Sequence, residues 1–203
     1  MNLLTTPIFT RDARISQMIF YLVIAILLVV IIYIFSSPKL SPIPYFPSQK
    51  VDLPKIIKAL NLKNNQTVFD LGAGDGIVIF KAAETAFLQR LNTKFVAVEI
   101  NPVLILILFF RRLFHPNKKN IKIVYGDIFK INIKDQISKI KTTNQNSKIT
   151  IYLYISPWYL EKTVENCKLK IKNFAVVSYM YPIKSLKKNE KIIQGKNKIF
   201  VYN

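Results

Sequence analysis

Hydrophobic patterning divides the chain into three unequal parts. Residues 18–35 are continuously apolar or aromatic, and no charge falls between residues 15 and 38. About 20 apolar residues at a rise of 1.5 Å cross a hydrocarbon core, so residues 15–37 are expected to form a single transmembrane anchor behind a short polar leader, residues 1–14. Arg11 and Arg14 precede the apolar run, as they do in a secretory signal. Such a signal has an apolar region of about 7–15 residues and a small-residue cleavage site, whereas Ile34-Phe35-Ser36-Ser37-Pro38 supplies no such site. Next comes residues 38–50, with Pro38, Pro42, Pro44 and Pro47. That proline density specifies an extended, semi-rigid linker. Residues 51–203 then alternate short apolar runs with amphipathic stretches, the pattern of one α/β domain.

Within that domain Asp52 or a neighbour is expected to cap a helix with Pro54 in its first turn, ending near Leu60. A polar break at residues 61–66 leads to a strand at 67–71, a glycine turn, a helix at 77–91 and a strand at 95–99. A strand–helix–strand unit of about 30 residues requires a right-handed parallel crossover. Asn101 as N-cap and Pro102 at the first helical position start another helix. Its body, residues 103–110, is apolar on every side and is followed by Arg111-Arg112. Packing on a sheet needs only one apolar face. The excess is either core, covered by the N-terminal helix, or a surface resting on the membrane. A strand at Ile121–Tyr125 ends in Gly126-Asp127, and a basic, Asn/Gln/Thr-rich segment at 130–148 follows, its middle (141–147) an exposed loop. Strands at 150–155 and 174–181 flank a helix at 158–168. Residues 191–194 and 199–202 close the domain as a hairpin across Gly195-Lys196-Asn197.

The chemistry gathers at strand ends. Residues 68–76 read V-F-D-L-G-A-G-D-G, a buried strand running into Gly72, Gly74 and Gly76. A turn of this kind brings backbone N–H groups and a helix N-terminus to the carboxyl edge of a parallel sheet, where nucleotides bind. The spacing is G-x-G-x-G, so the third glycine of the dinucleotide fingerprint would fall on Ile77 and the NAD pattern is broken. Asp70, Glu99 and Asp127 end three successive strands, so one crevice would hold all three carboxylates. Glu99 lies where an acidic side chain accepts both hydroxyls of a ribose, Asp127 where an exocyclic adenine amine needs an acceptor, and Asp70 where a cationic amino group would be oriented. The set suits an adenosine with a positively charged amino-acid tail better than one with a pyrophosphate.

Residues 70–76, 96–101 and 124–129 resemble, in order, the first three motifs of class I S-adenosylmethionine-dependent methyltransferases. The resemblance implies a Rossmann-like seven-strand sheet with helices on both faces and an antiparallel last strand. It implies S-adenosyl-L-methionine as cofactor, held by Asp70, Gly72, Ala73, Gly74, Gly76, Glu99, Asn101, Asp127 and Ile128. In it Gly72 and Gly74 let the backbone approach the methionine moiety, and Asp127 with the Ile128 amide reads the adenine. A narrower similarity, over residues 44–184, is to the small membrane-anchored protein-lysine methyltransferases of the family-with-sequence-similarity-173 type. It is carried by Pro44-Tyr45-Phe46-Pro47-Ser48, Asp70–Gly76, Glu99-Ile100-Asn101-Pro102 and residues 179–182. It implies N-methylation of lysine in a membrane-associated protein. Ile77, where an arginine is usual, and the very apolar 103–110 helix depart from that type.

A lysine acceptor must lose its proton before attack, which a desolvating aromatic pocket promotes. Tyr45, Phe46, Tyr154, Trp158 and Tyr159 are the candidates for that pocket; no catalytic residue is singled out, and no metal is implied. Ser156-Pro157-Trp158 stands where amide and adenine N-methyltransferases carry Asn/Asp-Pro-Pro-aromatic, and the missing amide argues against those acceptors. His115, beside Pro116 in a basic loop, reads as a surface residue rather than a base. The alternatives are a lipid, quinone or other small-molecule acceptor at the membrane, or a membrane-tethered module that binds without turnover.

Charge changes this picture little. Lys and Arg number 30 against 11 Asp and Glu, a formal +19, and only Arg11, Arg14, Lys39, Lys50 and Asp12 precede Val51. A basic tethered domain favours an anionic bilayer face or nucleic acid. Heavy use of Lys, Asn and Ile together is also what an A+T-rich coding sequence produces, and no separate RNA-binding module is visible, so nucleic acid is an unlikely partner on this reading. Arginines and lysines flank the anchor almost equally and leave its orientation open. Because the cofactor is made and kept inside cells, the catalytic domain is expected to face the cytoplasm. The single Cys167 excludes an internal disulfide framework.

Overall fold

A computed structural model describes residues 8–40, 42–131, 133, 135–136, 148–168 and 174–203. Helix α1 (Ile8–Ser36) begins inside the expected leader. Its stretch Ala13–Ser36, 24 residues long, packs no residue into a core and has the length and composition of a membrane span. A signal sequence near an N-terminus shares that character.

A short 3-10 turn, Lys50–Asp52, opens α2 (Leu53–Leu60). The Asp52 side chain makes no cap bond to that helix. It turns instead to the C-terminal hairpin, accepting from Lys196 N (2.7 Å), Asn197 N (2.9 Å) and the Tyr179 hydroxyl (2.7 Å). Three donors satisfy a buried carboxylate better than one helix amide would. Burial raises its pKa, but the donors Asn197, Tyr179 and Lys196 outweigh it and hold the group below the usual carboxylate value.

The sheet is built from β1 (Gln66–Leu71), β2 (Lys94–Glu99), β3 (Ile121–Tyr125), β4 (Lys148–Leu153), β5 (Phe174–Tyr179), β6 (Glu190–Gln194) and β7 (Lys198–Tyr202). Their order is β3-β2-β1-β4-β5-β7-β6. The first five are parallel, and β7 runs antiparallel to both β5 and β6. This is the seven-strand arrangement that the methyltransferase resemblance implies.

Helices α3 (Ile77–Leu88), α4 (Pro102–Leu113) and α5 (Pro157–Lys168) pack against the sheet. Alternation along β1 explains the layers. Val68 packs with α2, α3 and α4 on one face, whereas Phe69 and Leu71 pack with α5 on the other, as the period of two along a strand demands. Because β1 pairs with β2 on one side and β4 on the other, the chain winds outward in opposite directions from this point. A crevice opens there at the carboxyl ends of the strands. The expected loop at 141–147 lies outside the described residues.

The outer face of α4 is not covered. Leu104, Ile105 and Leu108 are buried on the sheet, while Leu106, Phe109, Phe110, Leu113 and Phe114 remain exposed. The N-terminal helix touches α4 without enclosing it, so the reading of the apolar excess as covered core is corrected.

Candidate functional site

The crevice is a cleft with about 740 Å³ of empty space, counted to include its open mouth. Its floor is the turn after β1. Gly72, Gly74 and Gly76 all have positive φ (81°, 58° and 77°), a conformation that disfavours any side chain. The Gly72 and Ala73 amides both donate to Val98 O at 2.9 Å, tying the turn to β2. Gly74 also needs its bareness for space, since a Cβ there would come within 2.7 Å of the Tyr45 ring.

Asp70, Glu99 and Asp127 all line the cleft, so the topology brings the three carboxylates together. Glu99 ends β2 with its carboxylate turned inward. Oε2 accepts from Gly74 N (2.8 Å), and Oε1 from Ile100 N (2.8 Å) and Asn101 N (2.9 Å). A carboxylate offers about four acceptor positions. Three are engaged here, and the one remaining, on Oε2, suits a single hydroxyl. Asp127 Oδ1 accepts from Phe129 N at 2.8 Å, and Lys130 lies 3.8 Å from Oδ2. Ile128 beside it is buried and faces the cleft.

Asp70 is buried, and its environment is unlike that of the other two. Burial first, then the nearby Glu99 and Asp75 charges, push its pKa up to about 8, against one opposing backbone donor, Ile79. A positive charge placed beside it would relieve all three effects.

The linker closes the cleft from above. Pro42, Tyr45, Phe46 and Ser48 all line it. Ser48 anchors the strap, its hydroxyl lying 2.8 Å from the buried Tyr152 hydroxyl of β4. Burial, followed by the neighbouring Asp75, raises the Tyr45 hydroxyl to about 12. Asp75 in turn is held by Arg111 of α4, which donates to its carbonyl (2.6 Å) and its carboxylate (3.0 Å).

Of the expected cofactor residues, Gly76 and Asn101 do not line the cleft. A Cβ on Gly76 would run into Leu108 and Phe80, so this glycine serves close helix packing. Asn101 caps α4, its Oδ1 accepting from Val103 N (2.9 Å) and Leu104 N (3.3 Å). Of the expected acceptor pocket, Tyr45, Phe46 and Tyr154 line the cleft, and Trp158 and Tyr159 do not. Trp158 is 84 % exposed, and Tyr159 packs its ring against Phe129 at 5.2 Å. His115 sits apart, its Nε2 lying 3.1 Å from Phe80 O.

Among the cleft residues outside the expected set are Tyr152, Asp75 and Ile155. Tyr152 lies in a continuous apolar strand where nothing marks one face as the site. Asp75 is disguised as a turn residue.

A family model described as ribosomal RNA adenine dimethylase matches residues 45–176, from the Tyr45 strap into β5 and well over half of the chain. The chain belongs to the ribosomal RNA adenine dimethylase family. Solved structures agree on the fold. An RNA methyltransferase from Salinibacter ruber, in complex with S-adenosyl-L-homocysteine, superposes with a TM-score of 0.59 at 18% identity, over 77% of this chain and 92% of that one. The 23S rRNA methyltransferase ErmE gives 0.52 at 13% identity over 78% and 70%. A precorrin-6y C5,15-methyltransferase from Geobacter metallireducens gives 0.50 at 14% identity over 77% and 91%. No curated protein sequence matches the chain.

As a member of this family the protein is an S-adenosylmethionine-dependent methyltransferase. The cleft fits the cofactor on its own chemistry. Its lining carries three carboxylates, which can accept from hydroxyl, amine and ammonium groups, and a glycine turn that leaves room for backbone approach. The narrower resemblance to the membrane-anchored lysine methyltransferases finds no support in these comparisons, whose family is named instead for methylation of ribosomal RNA.

Proposed function

We propose that the protein is a membrane-tethered N-methyltransferase whose acceptor is an aliphatic amine, the side chain of a lysine in a membrane-associated protein. The observation that carries this reading is Ile155. It lies just beyond β4, 4 % exposed, in the wall of the cleft, two residues before Pro157, where an adenine-type motif places its amide or acid. An adenine amine shares its lone pair with the ring, and an acceptor on its N–H groups is needed to localise that pair. The lone pair of a deprotonated lysine is already localised, and the amine needs only to arrive neutral and aligned.

S-adenosylmethionine supplies a sulfonium methyl group. Asp70, Glu99 and Asp127 would hold its ammonium, ribose and adenine. Tyr45, Phe46 and Tyr154 would enclose the acceptor nitrogen. Exclusion of water by these rings lowers the amine's pKa, so the proton leaves to solvent before the nitrogen attacks. The aromatic faces then hold the methylated cation. Helix α1, as an anchor, restricts the acceptors that can reach the cleft to those at the bilayer surface.

A second reading, methylation of adenine in RNA, is favoured by the family and by the +19 charge. It restores nucleic acid as a class of partner. One experiment separates the two. The full chain in its own membranes is incubated with methyl-labelled cofactor and total RNA, and label is counted in the protein, RNA and lipid fractions. Label in protein lysine supports the proposal; label confined to RNA establishes the second reading, and label confined to lipid refutes both.

A further inference from the structure

We infer that the outer face of α4 is a second membrane-contact surface, seated in an anionic lipid interface beside the anchor. The helix carries far more apolar surface than sheet packing uses. Phe110 and Leu106 are 68 % and 69 % exposed although only one apolar face is needed on the sheet. Soluble monomers rarely leave such a contiguous patch open to water.

The composition of the patch identifies what covers it. Leu106, Phe109, Phe110 and Leu113 share one shallow hollow with the cations Arg112 and Lys118. Apolar groups to enter the acyl region, with cations beside them at headgroup depth, are what an interfacial helix presents to anionic lipid. Bonds from Arg112 Nε to Ile121 O (2.7 Å) and from Lys118 Nζ to Leu113 O (3.2 Å) pin both cations at this rim, and their further N–H groups suit phosphate headgroups.

Continuity with α1 supplies the independent argument. The anchor helix meets α4, and its residues Ile34 and Phe35, near its end, are partly covered whereas the preceding stretch is not. The helix that bears the patch therefore meets the helix expected to span the bilayer. Two contacts fix an orientation that one tether does not. The N-terminal end of α4 lies at the cleft, since Ile100 and Leu104 line it. Seating α4 therefore keeps the cleft within about one 12-residue helix length, roughly 18 Å, of the lipid surface. Arg111 links the same helix to Asp75, beside the Tyr45 strap.

The inference rests on the reading of α1 as an anchor, and the test keeps the two apart. The full chain is reconstituted into vesicles of phosphatidylcholine and phosphatidylglycerol, with an environment-sensitive fluorophore at Phe110→Cys or Leu113→Cys. Ile192→Cys serves as control, because Ile192 is an exposed residue of β6 at the far edge of the sheet. The native Cys167 is buried. Flotation and resistance to carbonate extraction report the anchor. Nitroxide-bearing lipid should quench the Phe110 and Leu113 labels by about half or more, as for a helix lying about 5–10 Å into the interface. Aqueous iodide should quench only the Ile192 label.

Stable insertion with the Phe110 label as open to iodide as the control overturns the inference and leaves the anchor standing. Failure to float overturns both. Protection from iodide without lipid quenching, lost at one chain per vesicle, assigns the face to a second copy and also overturns it.

Discussion

Replacing Asp70 by Asn should stabilise the fold and weaken cofactor binding, and the stabilisation should grow with pH. The wild-type carboxyl rises from 3.8 to about 8 through burial and the neighbouring Glu99 and Asp75 charges. A carboxyl raised in the folded state makes its full contribution below its unfolded pKa, and that contribution is lost as pH climbs to the folded value. Between pH 5 and pH 8 the unfolded chain has released this proton, whereas the folded chain keeps it until about half is released near pH 8. The wild type therefore loses about 1.4 kcal/mol per pH unit through this group, or about 4 kcal/mol over the window. Asn has no proton to keep. Its buried NH2 group carries a fixed cost of about 1–3 kcal/mol, which shifts the difference curve without changing its slope.

The assay is thermal unfolding of the full chain in mild detergent at several pH values, wild type against Asp70→Asn. All other titrations are common to both proteins, so the difference in Tm isolates this group and should widen by about 8–15 °C between pH 5 and pH 8. Calorimetry on the same samples should show S-adenosylmethionine affinity weakened by about 1.5–3 kcal/mol, the scale of a lost bond to a charged group. Parallel melting curves across the pH range would refute the reasoning about burial. An unchanged affinity would remove Asp70 from the cofactor site.

Glu99→Ala and Asp127→Ala should each weaken cofactor binding by roughly 1–3 kcal/mol; calorimetry that finds Glu99→Ala equal to wild type refutes the assignment. Gly74→Ala places a methyl group within 2.7 Å of the Tyr45 ring at a φ of 58°. Its affinity should fall at least about tenfold, and Tyr45→Ala on the same chain should recover only the steric share of that loss, as titrations of the single and double variants will read. Asp52→Ala strands three donors at the hairpin and should cost about 2–4 kcal/mol at neutral pH. Because the folded-state pKa of Asp52 is depressed, its contribution is present above the unfolded value of about 3.9 and lost as pH falls through the lower folded one. Denaturant melts of wild type and variant should therefore converge in acid.

Most of the element boundaries were legible because local rules decide them. Asn101-Pro102 starts α4 as a capping residue and a first-turn proline must, and β3 spans the expected Ile121–Tyr125. The carboxylates were legible because a parallel crossover brings every strand end to one edge. The aromatic pocket was read less well. Trp158 and Tyr159 follow β4 closely in sequence, yet α5 turns them out of the cleft, while Tyr152 faces into it from within the strand. Asp52 looked like a helix cap, and only β5 and the hairpin, 127 to 145 residues later in the chain, revealed three better donors for it.

By itself the sequence determined the apolar helix, the glycine turn and the strand-end acids, since helical rise, positive φ and strand direction are local properties of short stretches. Tertiary structure decided what surrounds them. Pairing β1 with β4 opened the crevice, and the Ser48–Tyr152 contact laid the proline strap across it. Sheet packing buried one face of α4 and left the other uncovered. Those outcomes depend on which distant surfaces compete for each face, and no stretch of the chain carries that information alone.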